Sequence, residues 1–491
     1  MSRPVAMLSK PVDRRTFLRA ALVSAAGLAV PSPWLLGCGD GGGTQETAVP
    51  LTVDPNVSWW LQNNFEPVFD EIQSFDLPVE GSIPRELNGL YVRNGSNPQS
   101  GHSTHWFTGD GMLHGVRLEN GRAASYRNRY VRTPLFIDGT DYRDGVIPIG
   151  GNNQSNVSAV HHAGRLLTSG EVGFPYEIDA KTLSTIGVYD FAGKLNTSFT
   201  AHPKIDPATG WLHFFGYGVV PPYLTYFVAD ENGAVILSEV IDVERTTMIH
   251  SFAITESDVI FWDLPVVIDL QTAAAGEWPF HWDAGAGGRV GVMPLGGAAS
   301  EMRWVEIEPC YVFHELNAFR EGDEVVVDVC RYPRMMDGER FGDVPLQLRR
   351  WRIDASGEDL AFRDEVLEDM RLEFPMHDRR FTGRPNRYGW FVEARNLADT
   401  IDPRGIIARD HQTGVLTHWD PGPNKHCGEA FFVPGDSGEG EGWLLTFVYD
   451  HALDTSDFTI LDATRVQRGP VATVALPRRV PYGFHGVWVP D

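Results

Sequence analysis

From about residue 51 to the C-terminus the chain is a succession of short apolar runs broken by turn residues. "YFVADENGAVILSEVI", "EVVVDVC", "GWLLTFVYD" and "FTILDA" are rich in β-branched and aromatic residues and are bounded by Gly, Asn, Asp and Pro. That is the pattern of strands joined by tight turns. No long stretch carries the 3.6-residue period of an amphipathic helix, and no Pro/Ser-rich linker divides the span. The pattern predicts one large all-β domain. Short strands at regular spacing fit a sandwich, a barrel or a propeller, and a propeller should repeat every ~40–50 residues, or more with insertions.

Ionisable residues set in apolar, strand-like surroundings supply such a repeat. They are His202 in "FTAHPKID", His250 in "MIHSFAI", His314 in "YVFHELNAF", Glu373 in "LEFPMHD", Glu429 in "CGEAFFVP" and His485 in "GFHGVW", at intervals of 48, 64, 59, 56 and 56 residues. Glu171, in "LLTSGEVGFPYEID", precedes His202 by 31. Taken over seven blades, that is about one such residue per blade, which fits a β-propeller, in which the innermost strands converge on the central axis. Four histidines and three glutamates can then face one another there, however far apart in sequence. Neutral imidazoles ligate Fe, Zn, Cu or Ni. Carboxylates one layer out accept the second N–H of each ring, fix its tautomer and offset the charge of a divalent ion. A lone histidine in an apolar strand is more often a satisfied core residue; the recurring set is what points to a metal site on the axis.

Charge narrows the partners. Lys+Arg 41 against Asp+Glu 65 gives a formal net charge of −24, which argues against a nucleic-acid partner and against electrostatic docking on anionic lipid. It does not argue against an uncharged, greasy substrate. The four cysteines, Cys38, Cys310, Cys330 and Cys427, form no CxxC pair, so a zinc or redox motif is not expected. A Cys310–Cys330 disulfide stays open as an alternative.

The first residues read as an address. "DRRTFLRAALVSAAGLAV" places Arg14 and Arg15 before Phe17, Leu18 and an apolar run too short to span a membrane well. This is the layout of a twin-arginine export signal. The run ends in "LLGC", a lipobox-like stretch whose Cys38 is a candidate lipidation site, although Leu36 is an unusual residue before Gly–Cys and plain cleavage is the alternative. The expected organisation is a signal at 1–38, a flexible tether at 39–53 and the propeller at 54–491. Export by the twin-arginine translocase to the periplasm or cell envelope follows, with membrane contact or a lipid anchor through Cys38.

Residues 54–491 resemble the carotenoid cleavage oxygenases, which include the lignostilbene and stilbene dioxygenases and the retinal-pigment-epithelium isomerase. The matching stretches come in family order: "GSIPRELNGLYVRNGSNPQ", "HWFTGDGMLHGVRLENGRAASYRNRYVRT", "FTAHPKIDPATG", "MIHSFAITE", "FHELNAFREGDEVVVDV", "LEFPMHDRRFTGRPNRYGW", "GEAFFVP" and "PYGFHGVW". The resemblance implies a seven-bladed β-propeller with one Fe(2+) per subunit on its axis, with His202, His250, His314 and His485 on the ligand positions and Glu171, Glu373 and Glu429 on those behind them. It implies that Glu373 holds His314 and Glu429 holds His485, with Glu171 on His202 or, preferably, His250. Two departures stand next to these residues: Ser251, where the family usually has Asp, and Ala430, where it usually has Pro. The implied reaction splits a C=C bond of an apolar alkene with O2 into two carbonyls. The alkene supplies the electrons, so no organic cofactor is needed, and no catalytic residue is expected beyond the metal site. No strand–GxGxxG–helix unit is present; "GDGMLHG" has the glycines at the wrong spacing.

Other polar groups compete less well. The triplets His281–Asp283 and His418–Asp420 are each half of a 2-His-1-carboxylate site, but both lie by turn signals. The pairs His161–His162 and His102–His105 read as loop residues. "GDSGEGEG" (435–442) matches a calcium loop only in composition and is expected to be a mobile acidic loop. An apocarotenoid or other polyene is the expected substrate, with a stilbene cleaver as alternative and a non-enzymatic exported binding lipoprotein as a third reading. Stilbene cleavers resembling this chain are expected to grip a phenol through a lysine after the "YVRTP" stretch, where this sequence has Leu135.

Overall fold

In a computed structural model of the protein, residues 48–146, 148–336, 345–397 and 400–491 are described. The expected signal with Arg14, Arg15 and Cys38, and most of the expected tether, lie outside them. Among the described residues no helix is long and apolar enough to cross a membrane.

Among the described residues the strands assemble into seven antiparallel sheets, the blades of a propeller, with a separate two-stranded ribbon of Val266–Ile268 and Phe280–Trp282. Numbered along the chain, blades one to seven begin with the strands Ser158–His162, Lys204–Ile205, Ala253–Ile254, Tyr311–Glu321, Leu372–Met376, Lys425–Cys427 and Gly486–Pro490. Burial explains the composition within a blade. In blade four the strand Glu324–Tyr332 carries Val325, Val326, Val327 and Val329, all buried, because both of its faces are covered. A run covered on both faces reads as continuously apolar. Ala361–Glu368, at the far edge of the same blade, begins with an alternation of exposed and half-buried positions, the period-2 pattern of a strand with one wet face.

Both ends of the domain close the ring. Val79–Gly81 joins blade six beside Pro470–Ala475, with Val79 opposite Val474. The C-terminal strand Gly486–Pro490 joins blade seven beside Gly89–Ser96, with Gly89 opposite Pro490. The last strand is therefore an integral part of the sheet, and its backbone groups find their partners there rather than in solvent.

The alternative disulfide does not form: Cys310 and Cys330 are buried free thiols. Register is the reason. Val312 faces Arg331 across the blade-four hairpin, so Cys310 lies well along the strand from the position opposite Cys330. Burial pushes the Cys310 thiol up to about 12.

Candidate metal centre

The blade-starting strands deliver one polar side chain after another to the axis. His202 and His250 stand just before the first strands of blades two and three. His314 and Glu373 lie within those of blades four and five. Glu429 follows the first strand of blade six, and His485 immediately precedes that of blade seven. Bulges aim two of them. The blade-four register shifts between Val312 and Glu315, and the blade-five register between Glu373 and Met376. An extra residue at such a point turns a side chain out of the regular alternation. In the second bulge Phe374 adopts φ +49°, a left-handed conformation that disfavours a bulky side chain. Its ring stacks on His314 with centroids 5.5 Å apart.

The four histidines meet. One nitrogen from each of His202, His250, His314 and His485 lies within 4.8 Å of the others. His202 Nε2 and His250 Nε2 are 2.9 Å apart. The three glutamates stand directly behind. Glu171 Oε2 is 2.7 Å from His250 Nδ1, Glu373 Oε2 2.6 Å from His314 Nδ1, and Glu429 Oε1 2.8 Å from His485 Nδ1. Of the two partners open to Glu171, His250 is the one it meets. A carboxylate only accepts, so each of these Nδ1 atoms carries the proton and each Nε2 presents a lone pair. Among the described residues His314 Nε2 is buried with no hydrogen-bond partner. Convergent buried nitrogen donors, one of them orphaned, fit a divalent transition-metal ion.

The second oxygen of each glutamate is also engaged. Tyr217 donates to Glu171 Oε1 at 2.9 Å, Tyr332 to Glu373 Oε1 at 3.0 Å, and the Gly486 N–H to Glu429 Oε2 at 2.8 Å. Burial acts to raise the pKa of Glu373 and Glu429, but the facing histidines and these hydrogen bonds outweigh it. Both carboxyls end below the usual range and stay ionised. Burial, reinforced by the other three rings, holds His202 well below the ordinary histidine range, in the neutral form that ligates metal.

Gly483 and Gly486 flank His485 because of contact, not because of an unusual backbone. A Cβ at Gly483 would stand 2.7 Å from the Arg93 guanidinium, and one at Gly486 2.7 Å from the Tyr91 hydroxyl. Tyr217, Tyr332 and Phe374 were not legible as site residues, since an aromatic in a buried strand carries no polar signal.

A cavity of about 420 Å³ reaches the site. Trp106, Phe107, Phe313, Phe374 and Phe484 line it, and His250, His314, His485 and the three glutamates contribute to its wall. Thr104, Tyr142 and Arg371 add polar groups. Leu135 does not line it. It is 2 % exposed, within the short helix Pro134–Asp138, so the expectation that position 135 is where a phenol-gripping lysine would face the substrate is corrected: this position packs into the core.

The competing groups lie elsewhere. His281 is exposed on the two-stranded ribbon, and Asp283 caps a short 3-10 turn by accepting the Gly285 N–H. His418 Nε2 lies 3.3 Å from Glu393 Oε2. His161 and His162 are not loop residues as expected but end the first strand of blade one, where His162 Nε2 bonds the Gly210 carbonyl at 2.9 Å; His105 stacks on Trp278. In the 435–442 loop the carbonyls of Gly435, Ser437 and Gly438 accept from the Arg380 guanidinium, so a cation is already present where calcium would need those oxygens.

Comparison with known proteins agrees with this architecture. Residues 65–490 match the family model described as retinal pigment epithelial membrane protein. A carotenoid cleavage oxygenase of Mycobacterium tuberculosis is 36% identical over 497 residues, covering 88% of this chain and 97% of the relative. The crystal structure of Pseudomonas brassicacearum lignostilbene dioxygenase superposes with a TM-score of 0.82 at 28% identity, covering 90% of this chain and 100% of that one. Cobalt-substituted Synechocystis apocarotenoid oxygenase does so with a TM-score of 0.78 at 25% identity, covering 87% and 97%.

Proposed function

The chain belongs to the carotenoid cleavage oxygenase family, and from that premise we propose that it is a non-haem Fe(II) dioxygenase that cleaves a C=C bond of an apocarotenoid or similar polyene. The observation that carries the reading is the convergence of four imidazole nitrogens with a carboxylate behind three of the rings. His202, His250, His314 and His485 would hold the ion. Glu171, Glu373 and Glu429 would fix the tautomers of His250, His314 and His485 and offset the positive charge. Bound there, Fe(II) supplies the one-electron exchange with O2 that a closed-shell alkene does not undertake alone. The balance is simple: one alkene and one O2 give two carbonyls, with no external reductant.

The cavity wall does the rest. Phe107, Phe313, Phe374 and Phe484 offer apolar surface against which a conjugated chain binds by dispersion and the release of water. The same surface limits water at the reacting carbons, which protects the aldehyde products. A second reading, a hydroxylated stilbene, is favoured by Thr104, Tyr142 and Arg371 in that wall, because a phenol needs hydrogen-bonding partners once buried. Purifying the protein without oxygen, loading it with iron and assaying an apocarotenal beside a hydroxystilbene separates the two. Aldehydes from the apocarotenal in excess are the expected result; aldehydes from the stilbene alone would change the substrate class. Aldehydes from neither would favour a non-enzymatic role.

Export by the twin-arginine route to the cell envelope completes the proposal. Arg14, Arg15 and the apolar run after them support it, as does the biosynthetic logic of loading a metal before export. Cys38 is the proposed point of lipid attachment.

A further inference from the structure

Three of the four axial histidines are followed at once by residues that reach one another. Lys204 stands two positions after His202, Ser251 next to His250 and Glu315 next to His314. Lys204 Nζ ion-pairs with Glu315 Oε1. Ser251 donates to Glu315 Oε2 at 2.7 Å, and Lys204 Nζ lies 3.4 Å from the Ser251 hydroxyl. Ser251 is fully buried, and Glu315 is 8% exposed. None of the three reaches the wall of the cavity, and neither does His202.

Lys204 is half-buried and Glu315 buried, and an ion pair drawn largely out of water is a poor stabiliser, because desolvation cancels most of its attraction and an apolar pair of similar volume often does as well. Stability alone therefore gives little reason for this knot. It does fix distances, since it ties the backbone just past His202 to the backbone just past His250 and His314, across three successive blades. His202 is the ring in need of such a tie. The other three each have a carboxylate on Nδ1. Among the described residues His202 has none; its backbone N–H donates to the Thr200 hydroxyl at 3.0 Å, and its Nε2 faces His250.

We propose that Lys204, Ser251 and Glu315 are positioning residues that hold His202 at ligand distance from the other three histidines. The inference rests on the metal-site reading above. Its test is Co2+ titration of the metal-free protein, followed by the visible absorption bands that report cobalt geometry. Absence of cobalt binding by the wild type would sink the metal-site reading itself. Given wild-type binding, the double variant Lys204→Met with Glu315→Leu leaves no orphaned charge and should keep cooperative unfolding. Its Co2+ affinity should fall by about 10-fold or more, with shifted bands, as for lost outer-layer partners in other metal sites. Ser251→Ala, which removes one donor to Glu315 and leaves no unpaired charge, should move both readouts in the same direction by less. It carries the test if the double variant does not fold. Wild-type affinity and wild-type bands in the folded double variant, or in Ser251→Ala should that be the variant that folds, would overturn the proposal.

Discussion

At the scale of single residues, the centre depends on the carboxylates that stand behind three of its four histidines. Glu373 holds the proton of His314 on Nδ1 at 2.6 Å while accepting from Tyr332. Glu373→Gln keeps the shape but removes the charge and offers an amide that can present its N–H to the ring. Metal affinity or activity should fall by about 10–100-fold, as measured by titration of the metal-free variant; an unchanged enzyme would make Glu373 a structural residue only. The seven polar residues on the axis were legible because ionisable groups are costly in apolar strands, so their recurrence had to mean something. Tyr217 and Tyr332 were not legible, since a buried tyrosine needs no special explanation until its hydroxyl is seen on a glutamate. Leu135 failed for a different reason: which residue lines a cavity depends on how a loop folds, and the helix Pro134–Asp138 turns that side chain into the core.

At the scale of elements, strand composition foretold the all-β class, but not which strands would pair across the termini. Apolar runs such as "EVVVDVC" declare burial, whereas partnership depends on contacts hundreds of residues apart. Val79–Gly81 and Gly486–Pro490 close two adjacent blades in this way. The bulges at His314 and Glu373 were equally hidden, because an extra residue in one strand is defined only against its partner. The C-terminal closure makes a prediction. A chain ending at His485 loses the pairing of Gly486–Pro490 with Gly89–Ser96, and also the Gly486 N–H that bonds Glu429. It should unfold at lower denaturant concentration and bind metal more weakly. A truncated chain with unchanged unfolding midpoint and metal affinity would show that the last strand is dispensable.

At the scale of the whole molecule, a propeller gathers one side chain per blade into a small axial space, which is how residues from 171 to 485 come to share a site. Changing Arg14 and Arg15 together to Lys should keep the protein in the cytoplasm, and Cys38→Ala should free the exported protein from the membrane fraction, both read by fractionation. Export that ignores the arginine pair would contradict the twin-arginine reading; membrane retention without Cys38 would contradict the lipid anchor. The central claim is that the four histidines hold an iron on which alkene cleavage depends. It is tested most directly by titrating Fe(II) into metal-free protein without oxygen, then admitting O2 with a conjugated alkene that the loaded protein cleaves. Saturation is expected at about one iron per chain, with two carbonyl products per O2 consumed, product yield rising in proportion to bound iron, and neither binding nor product in His485→Ala. Full cleavage by the metal-free protein, or by His485→Ala, would contradict it.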